Sequence, residues 1–164
     1  MTGSGARPAG MFKVAFDLEP VSATWPPFST ERIWAKKGLA PYELILHNIP
    51  FYVRGLSCGD TIRAKPDHDR RELVFDGLVR HAGSSTIRVI LRDKRPEMRE
   101  RVLAIFSGAG CSWEFSNVDF HLAVDIPKVV DYGTLRAELL RMISDGSIEV
   151  EEAFIAENHQ DGLE

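Results

Sequence analysis

The sequence predicts an α+β protein in two parts: a small N-terminal β-barrel of SH3-like type over residues 11–83, then a ferredoxin-like β-α-β-β-α-β sandwich over residues 84–156. Three observations predict it. Five or six short alternating stretches fill residues 12–80 without any helical period, and strands that short hide their edges by closing on one another. From Thr86 onward the pattern becomes strand, helix, strand, strand, helix, strand, the order of a split βαβ sandwich with right-handed crossovers. Between the two patterns, Ala82-Gly83-Ser84-Ser85 reads as a turn and as the border between folding units.

In the first part, Phe12, Val14, Phe16 and Leu18 alternate with Lys13, Ala15 and Asp17, a half-buried strand. Pro20, Pro26 and Pro27 cannot donate to a ladder, so Trp25-Pro26-Pro27-Phe28 is an extended loop carrying two aromatics. Those rings either close one end of the barrel or form the lip of a binding groove. Glu31 to Lys36, Tyr42 to His47 and Thr61 to Lys65 are short strands, and Pro50 forces an edge or a bend between the second and third of them. Pro66 to Arg70 forms a polar hairpin turn, and Glu72 to Arg80 returns as a longer strand.

The second part opens on a strand in which Ile87, Val89 and Leu91 alternate with Thr86, Arg88 and Arg92. Pro96 suits the first turn of a helix, where its missing N–H costs nothing. Met98, Val102, Ile105, Phe106 and Ala109 then give that helix one apolar face, which Gly108 and Gly110 end. Cys111 to Phe115 and Phe120 to Ile126 alternate as strands. Asp131 caps a second helix with Leu135, Leu139, Met142 and Ile143 as its buried stripe, and Gly146 is placed at its end. Ile148 to Ile155 is the last strand. Residues 1–10 read as a disordered leader and 157–164 as a polar tail.

The chain has 164 residues, is 44% hydrophobic and carries a net charge of -4, which suits a soluble globular protein and disfavours nucleic acid, whose phosphates need a concentrated positive patch. The charge is unevenly split. Residues 1–83 hold 11 basic against 9 acidic side chains and residues 84–164 hold 9 against 15, so the halves, or two copies, have complementary surfaces. No stretch approaches a membrane span. Cys58 and Cys111 are the only cysteines and neither belongs to a metal or redox motif, so a reducing cytoplasmic setting is expected, with no cofactor and no metal.

In the predicted sandwich Arg88, Arg92, His121 and Asp125 lie on the sheet face that the helices leave open, flanked by Glu114, Glu149 and Glu151; that face is solvated, packed on the barrel, or used to dimerise or to bind a ligand. Arg88, Arg92, His121, Asp125 and Glu114, with Trp25 at the groove lip, are the candidate ligand-binding residues, because opposed charges on neighbouring strands can pair or receive a carboxylate. Cys58 or Cys111 would act as a nucleophile only beside a histidine, and the spacing brings none to them, so no catalytic residue is assigned. Ser84, Ser85 and Thr86 follow Gly83 but lead into a strand, without the helix dipole of a phosphate loop.

The segments Phe16-Asp17-Leu18-Glu19, Trp25-Pro26-Pro27, Glu31-Arg32-Ile33-Trp34, Asn48-Ile49-Pro50-Phe51, Gly59-Asp60, Gly83-Ser84-Ser85-Thr86-Ile87-Arg88 and Gly110-Cys111-Ser112-Trp113-Glu114 resemble an uncharacterised bacterial family, domain-of-unknown-function family 4265, over about residues 12–155. The resemblance implies one evolutionary unit in a bacterial setting and brings no activity with it. The expected function is a non-catalytic interaction or regulatory module, immunity- or adaptor-like, binding a protein partner or a small anionic ligand, with a homodimer through the open sheet face as a further expectation. The alternative is an enzyme in the cleft between the two parts, using Arg88, His121 and Asp125.

Overall fold

Each part of the chain is built on its own sheet, in a computed structural model that describes residues 9–161. In the first, β1 (Met11–Asp17), β2 (Thr30–Lys37), β3 (Glu43–Leu46), β4 (Thr61–Asp67) and β5 (Glu72–Arg80) pair in order as antiparallel neighbours. Strand β5 then meets β1 in parallel at Val14–Leu73 and Ala15–Val74, which closes the ring. The inward set is the one the alternation selects, Val14, Phe16, Ile33, Ala35, Leu46, Ile62 and Ala64. The β4–β5 ladder shifts register twice, and Gly77 beside one shift has φ +139°, a conformation open to glycine and strained for other residues. Strand β4 runs through Pro66, which the sequence places in the turn; at the end of a ladder its missing N–H is no loss.

The second part follows as β6 (Ser85–Leu91), α1 (Pro96–Ala109), β7 (Ser112–Phe115), β8 (His121–Ile126), α2 (Tyr132–Ser144) and β9 (Ile148–Phe154). Its four strands are all antiparallel, in the order β7-β8-β6-β9. Pro96 opens α1, and Gly110, at φ +85°, ends it by returning its N–H to Phe106 and Ser107. Asp131 caps α2 by accepting from the Thr134 N–H at 3.1 Å. Ile87, Val89, Leu91, Leu122, Val124 and Ile126 meet Val102, Phe106, Leu135, Leu139 and Met142 in one core between sheet and helices.

One expectation needs correction and one is resolved. Residues 157–160 are not tail but a short helical turn, α3 (Glu157–Gln160), because His159 is buried there, its Nδ1 2.6 Å from Ser85 Oγ and its Nε2 3.0 Å from the Pro127 carbonyl. Residues 1–8 of the expected leader and 162–164 of the expected tail lie outside the described residues. Of the uses left open for the sheet face away from the helices, packing against the first part of the chain is the one observed along Thr86, Arg88 and His121, all 3% exposed or less, so these residues offer no face for a dimer.

The cover is the segment between β3 and β4. Residues 50–53 form neither helix nor strand, and their backbone groups are held from both sides. The buried Glu31 carboxylate of β2 accepts from the N–H groups of Phe51, Tyr52 and Val53 at 2.6, 2.9 and 2.9 Å. The Arg88 guanidinium of β6 donates to the carbonyls of Val53, Tyr52 and Pro50 at 2.7, 3.3 and 3.4 Å, and to both oxygens of Glu151. Beside it, Ser57 Oγ lies 2.6 Å from Thr86 Oγ1 and Gly55 donates to the Ala153 carbonyl at 3.1 Å. Asp60, fully buried, accepts from the Ser57 and Ala82 N–H groups and meets His81 Nδ1, each at 2.9 Å.

Two substitutions test this packing. Leu139→Ala empties a core position and should cost ~2–5 kcal/mol in a denaturant melt. Arg88→Lys keeps the charge but brings three N–H groups to a site built for five. It should therefore lower stability by ~1–3 kcal/mol through stranded buried acceptors, and a change below ~0.5 kcal/mol would mean the segment is held by other contacts.

Candidate functional site

The proline-rich loop between β1 and β2 folds back on itself. Val21 and Ser22 donate to the Trp25 carbonyl, and Ser22 Oγ accepts from the Trp25 N–H at 3.1 Å. This turns the indole toward the second sheet. Its ring meets Tyr52 edge-on at 5.6 Å and His121 edge-on at 5.3 Å, while Tyr52 lies parallel to His121, centroids 5.6 Å apart and planes within 7°. Phe28 and Phe51 pack around Tyr52. Loop residues of the first part and His121 of β8 thus make one aromatic cluster, edge-to-face and offset contacts being the favoured geometries of aromatic rings.

Two cavities flank Trp25 and have Glu151 as a second common wall. The larger, about 620 Å³, lies between the β1–β2 loop and segment 52–56 and is lined chiefly by apolar side chains, among them Leu18, Val21, Tyr52, Leu56 and Phe75. The smaller, about 240 Å³, sits on the sheet itself, over Arg88, Ile90, His121 and the β9 residues Glu149 and Val150. Together they form a groove between the two parts of the chain.

His121 is 1% exposed, and its Nδ1 lies 2.7 Å from Ser116 Oγ. Burial, with the Arg88 charge beside it, pulls its pKa down to about 4 against an opposing pull from Glu151, so the ring is neutral at pH 7. Burial, with Asp60 adding, pushes Asp125 up to about 6, and its Oδ1 is buried without a hydrogen-bond partner. Burial also raises both thiols to about 11, so neither Cys58 nor Cys111 is a thiolate at neutral pH. Among the described residues no group of three or more His, Cys, Asp or Glu is placed to hold a metal ion.

Of the six candidates, Trp25, Arg88 and His121 meet at the smaller cavity. Arg92 falls just past the end of β6, exposed, and donates to Glu149 at 2.6 Å. Asp125 lies four residues from His121 along β8, roughly 13 Å at a strand rise of about 3.3 Å per residue, and neither it nor Glu114 lines either cavity. The Arg88, His121 and Asp125 grouping is therefore not assembled at one point. Arg88 has five N–H groups, and five bonds to Glu151 and the three carbonyls use them, so it has none to offer an anion. The sequence reading missed Glu31 and Tyr52 as site-forming residues, and it had Glu149 and Glu151 only as flanking the cluster. The available signals were an acid, Glu31, inside a strand pattern and an aromatic beside Pro50.

The raised pKa of Asp125 makes a signed prediction. The folded state binds its proton more tightly than the unfolded chain does, so its contribution to stability is present below about pH 4 and lost as pH rises through about 6. Asp125→Asn should raise the melting temperature over wild type at pH 7.5, with the gain shrinking toward pH 4. A variant less stable than wild type at pH 7.5 would mean that the carboxylate has a partner.

The model of a family described as a domain of unknown function, DUF4265, matches residues 31–150. A crystal structure of a hypothetical protein from Neisseria gonorrhoeae is similar to this chain with a TM-score of 0.70 and 18% identity, over 88% of this chain and 95% of that one. At that identity the likeness is one of fold. No curated protein matches.

Proposed function

This chain belongs to the DUF4265 family, and for it we propose a non-catalytic interaction module that receives a segment of a partner protein in the groove between its two parts. The observation that carries this reading is the pair of cavities on either side of Trp25, apolar in the larger and bounded by charged groups in the smaller. A concave, largely apolar surface with a few placed polar groups is the ordinary form of a binding site. Exposed Val21 and half-exposed Phe28 and Leu78 extend its apolar surface outward. The finer fold reading supports the same use. The first ring is SH3-like in its five short strands, and the order β9-β6-β8-β7 is that of a ferredoxin-like sheet, two scaffolds that commonly present grooves and faces to partners. A cytoplasmic setting goes with the proposal, supported by two unpaired cysteines; no described helix is long and apolar enough to cross a membrane.

A photo-crosslinking amino acid placed at Val21, on the groove rim, and at Leu39, 95% exposed and outside the groove lining, tests the proposal in extracts of the native host. A discrete adduct at position 21 that Trp25→Ala abolishes is the expected result. Equal adducts at both positions, or adducts indifferent to Trp25→Ala, would count against the groove.

A further inference from the structure

We infer that the smaller cavity is a seat for a cationic side chain, a lysine ammonium presented by the partner segment; the inference rests on the groove reading above and names the chemistry of its occupant. The polar side-chain atoms around the cavity are almost all acceptors. Arg88 has its five N–H groups engaged, which leaves the indole N–H of Trp25 as the one side-chain donor in the lining without a hydrogen bond. Against it stand, among the described residues, Glu149, whose Oε1 accepts no hydrogen bond, and Glu151, whose Oε2 accepts only from Arg88. Each carboxylate oxygen can accept about two bonds.

The third acceptor is His121 Nε2. The hydroxyl of Ser116 accepts from the Val118 N–H at 3.1 Å and donates to the Val118 carbonyl at 3.4 Å. The 2.7 Å contact between His121 Nδ1 and Ser116 Oγ fits either tautomer; we assign the ring proton to Nδ1, the tautomer that leaves the Nε2 lone pair free. That nitrogen has no hydrogen-bond partner among the described residues, although the residue is 1% exposed and borders the cavity. A nitrogen lone pair bordering the cavity and two carboxylates with spare capacity are complementary to a group that carries only donors and a positive charge. The Trp25 ring adds a face of the kind that attracts ammonium groups. Two arginines compete from outside: Arg92 holds Glu149 and Arg54 holds Glu151, with side chains 56% and 59% exposed. Exposed pairs of this kind are weak, so an ammonium entering the cavity exchanges a solvent-screened contact for a sheltered one.

The probes are three capped pentapeptides that differ only in a central lysine, norleucine or glutamate, titrated into the full chain and followed by NMR at the Trp25 indole and the His121 ring. The lysine peptide should bind about tenfold more tightly than the norleucine one, and the glutamate peptide most weakly. Glu149→Gln, at an exposed position that leaves the fold intact, should remove that preference. Arg92→Gln, which frees Glu149, should increase it, the opposite of what an anion site would show. Glu149→Lys should turn the preference toward glutamate. Lysine and norleucine binding equally at Trp25 would overturn the inference and leave the groove reading standing. A preference for glutamate in the wild type, or no peptide reaching Trp25, would also overturn it, while the Val21 cross-link judges the groove on its own.

Discussion

Residues 50–53 are irregular backbone pressed between two sheets, and the rest of the structure depends on how their peptide groups are satisfied. Buried backbone without a ladder must find partners or lose a large part of the gain from burial. Here one carboxylate, Glu31, takes three amide protons and one guanidinium, Arg88, gives protons to three carbonyls. Both charged groups are buried, and each is tolerated because its bonds are spread over several fixed dipoles. The segment becomes a plate held from the barrel on one side and from the second sheet on the other. Tyr52 then stands where it stacks on His121, Trp25 has a surface to lean on, and the cavities on either side of Trp25 acquire rigid walls.

The same arrangement explains the unequal electrostatics of the covered sheet face. His121 and Asp125 share strand β8 and both lose hydration, yet burial moves them in opposite directions, because it disfavours a cation in one and an anion in the other. Between about pH 4 and 6 their effects on stability oppose each other: depressed His121 favours the folded state as pH rises, and raised Asp125 favours it as pH falls. Between those values the face holds two neutral side chains; at pH 7 His121 stays neutral while Asp125 is mostly ionised.

Glu151 links the two cavities. It is bound by Arg88 from beneath and by Arg54 from the rim, so the same carboxylate that completes the interior clamp also faces the groove. The structural role and the proposed binding role converge on this one residue of β9, which is why its variants would be hard to interpret and those of the exposed Glu149 are more informative.

Much of the architecture was legible in the sequence. Alternation in Phe12 to Leu18 and in Ile87 to Leu91, the apolar stripe of Leu135, Leu139 and Met142, Pro96 at the start of α1 and Asp131 at the cap of α2 are local signals, and the elements formed where those signals lie. Alternation also placed Arg88 and His121 on the side of the sheet away from the helices, correctly. It could not say what meets that side. Whether Arg88 faces water or the carbonyls of Pro50, Tyr52 and Val53 is decided by contacts 35 to 38 residues away in the chain, and His159 was read as tail because its partners Ser85 and Pro127 are 74 and 32 residues distant. A strand's period of two is imposed by its own backbone and is written in neighbouring residues. The burial of its outer face is a meeting of two separately folded surfaces, which leaves no period in the sequence.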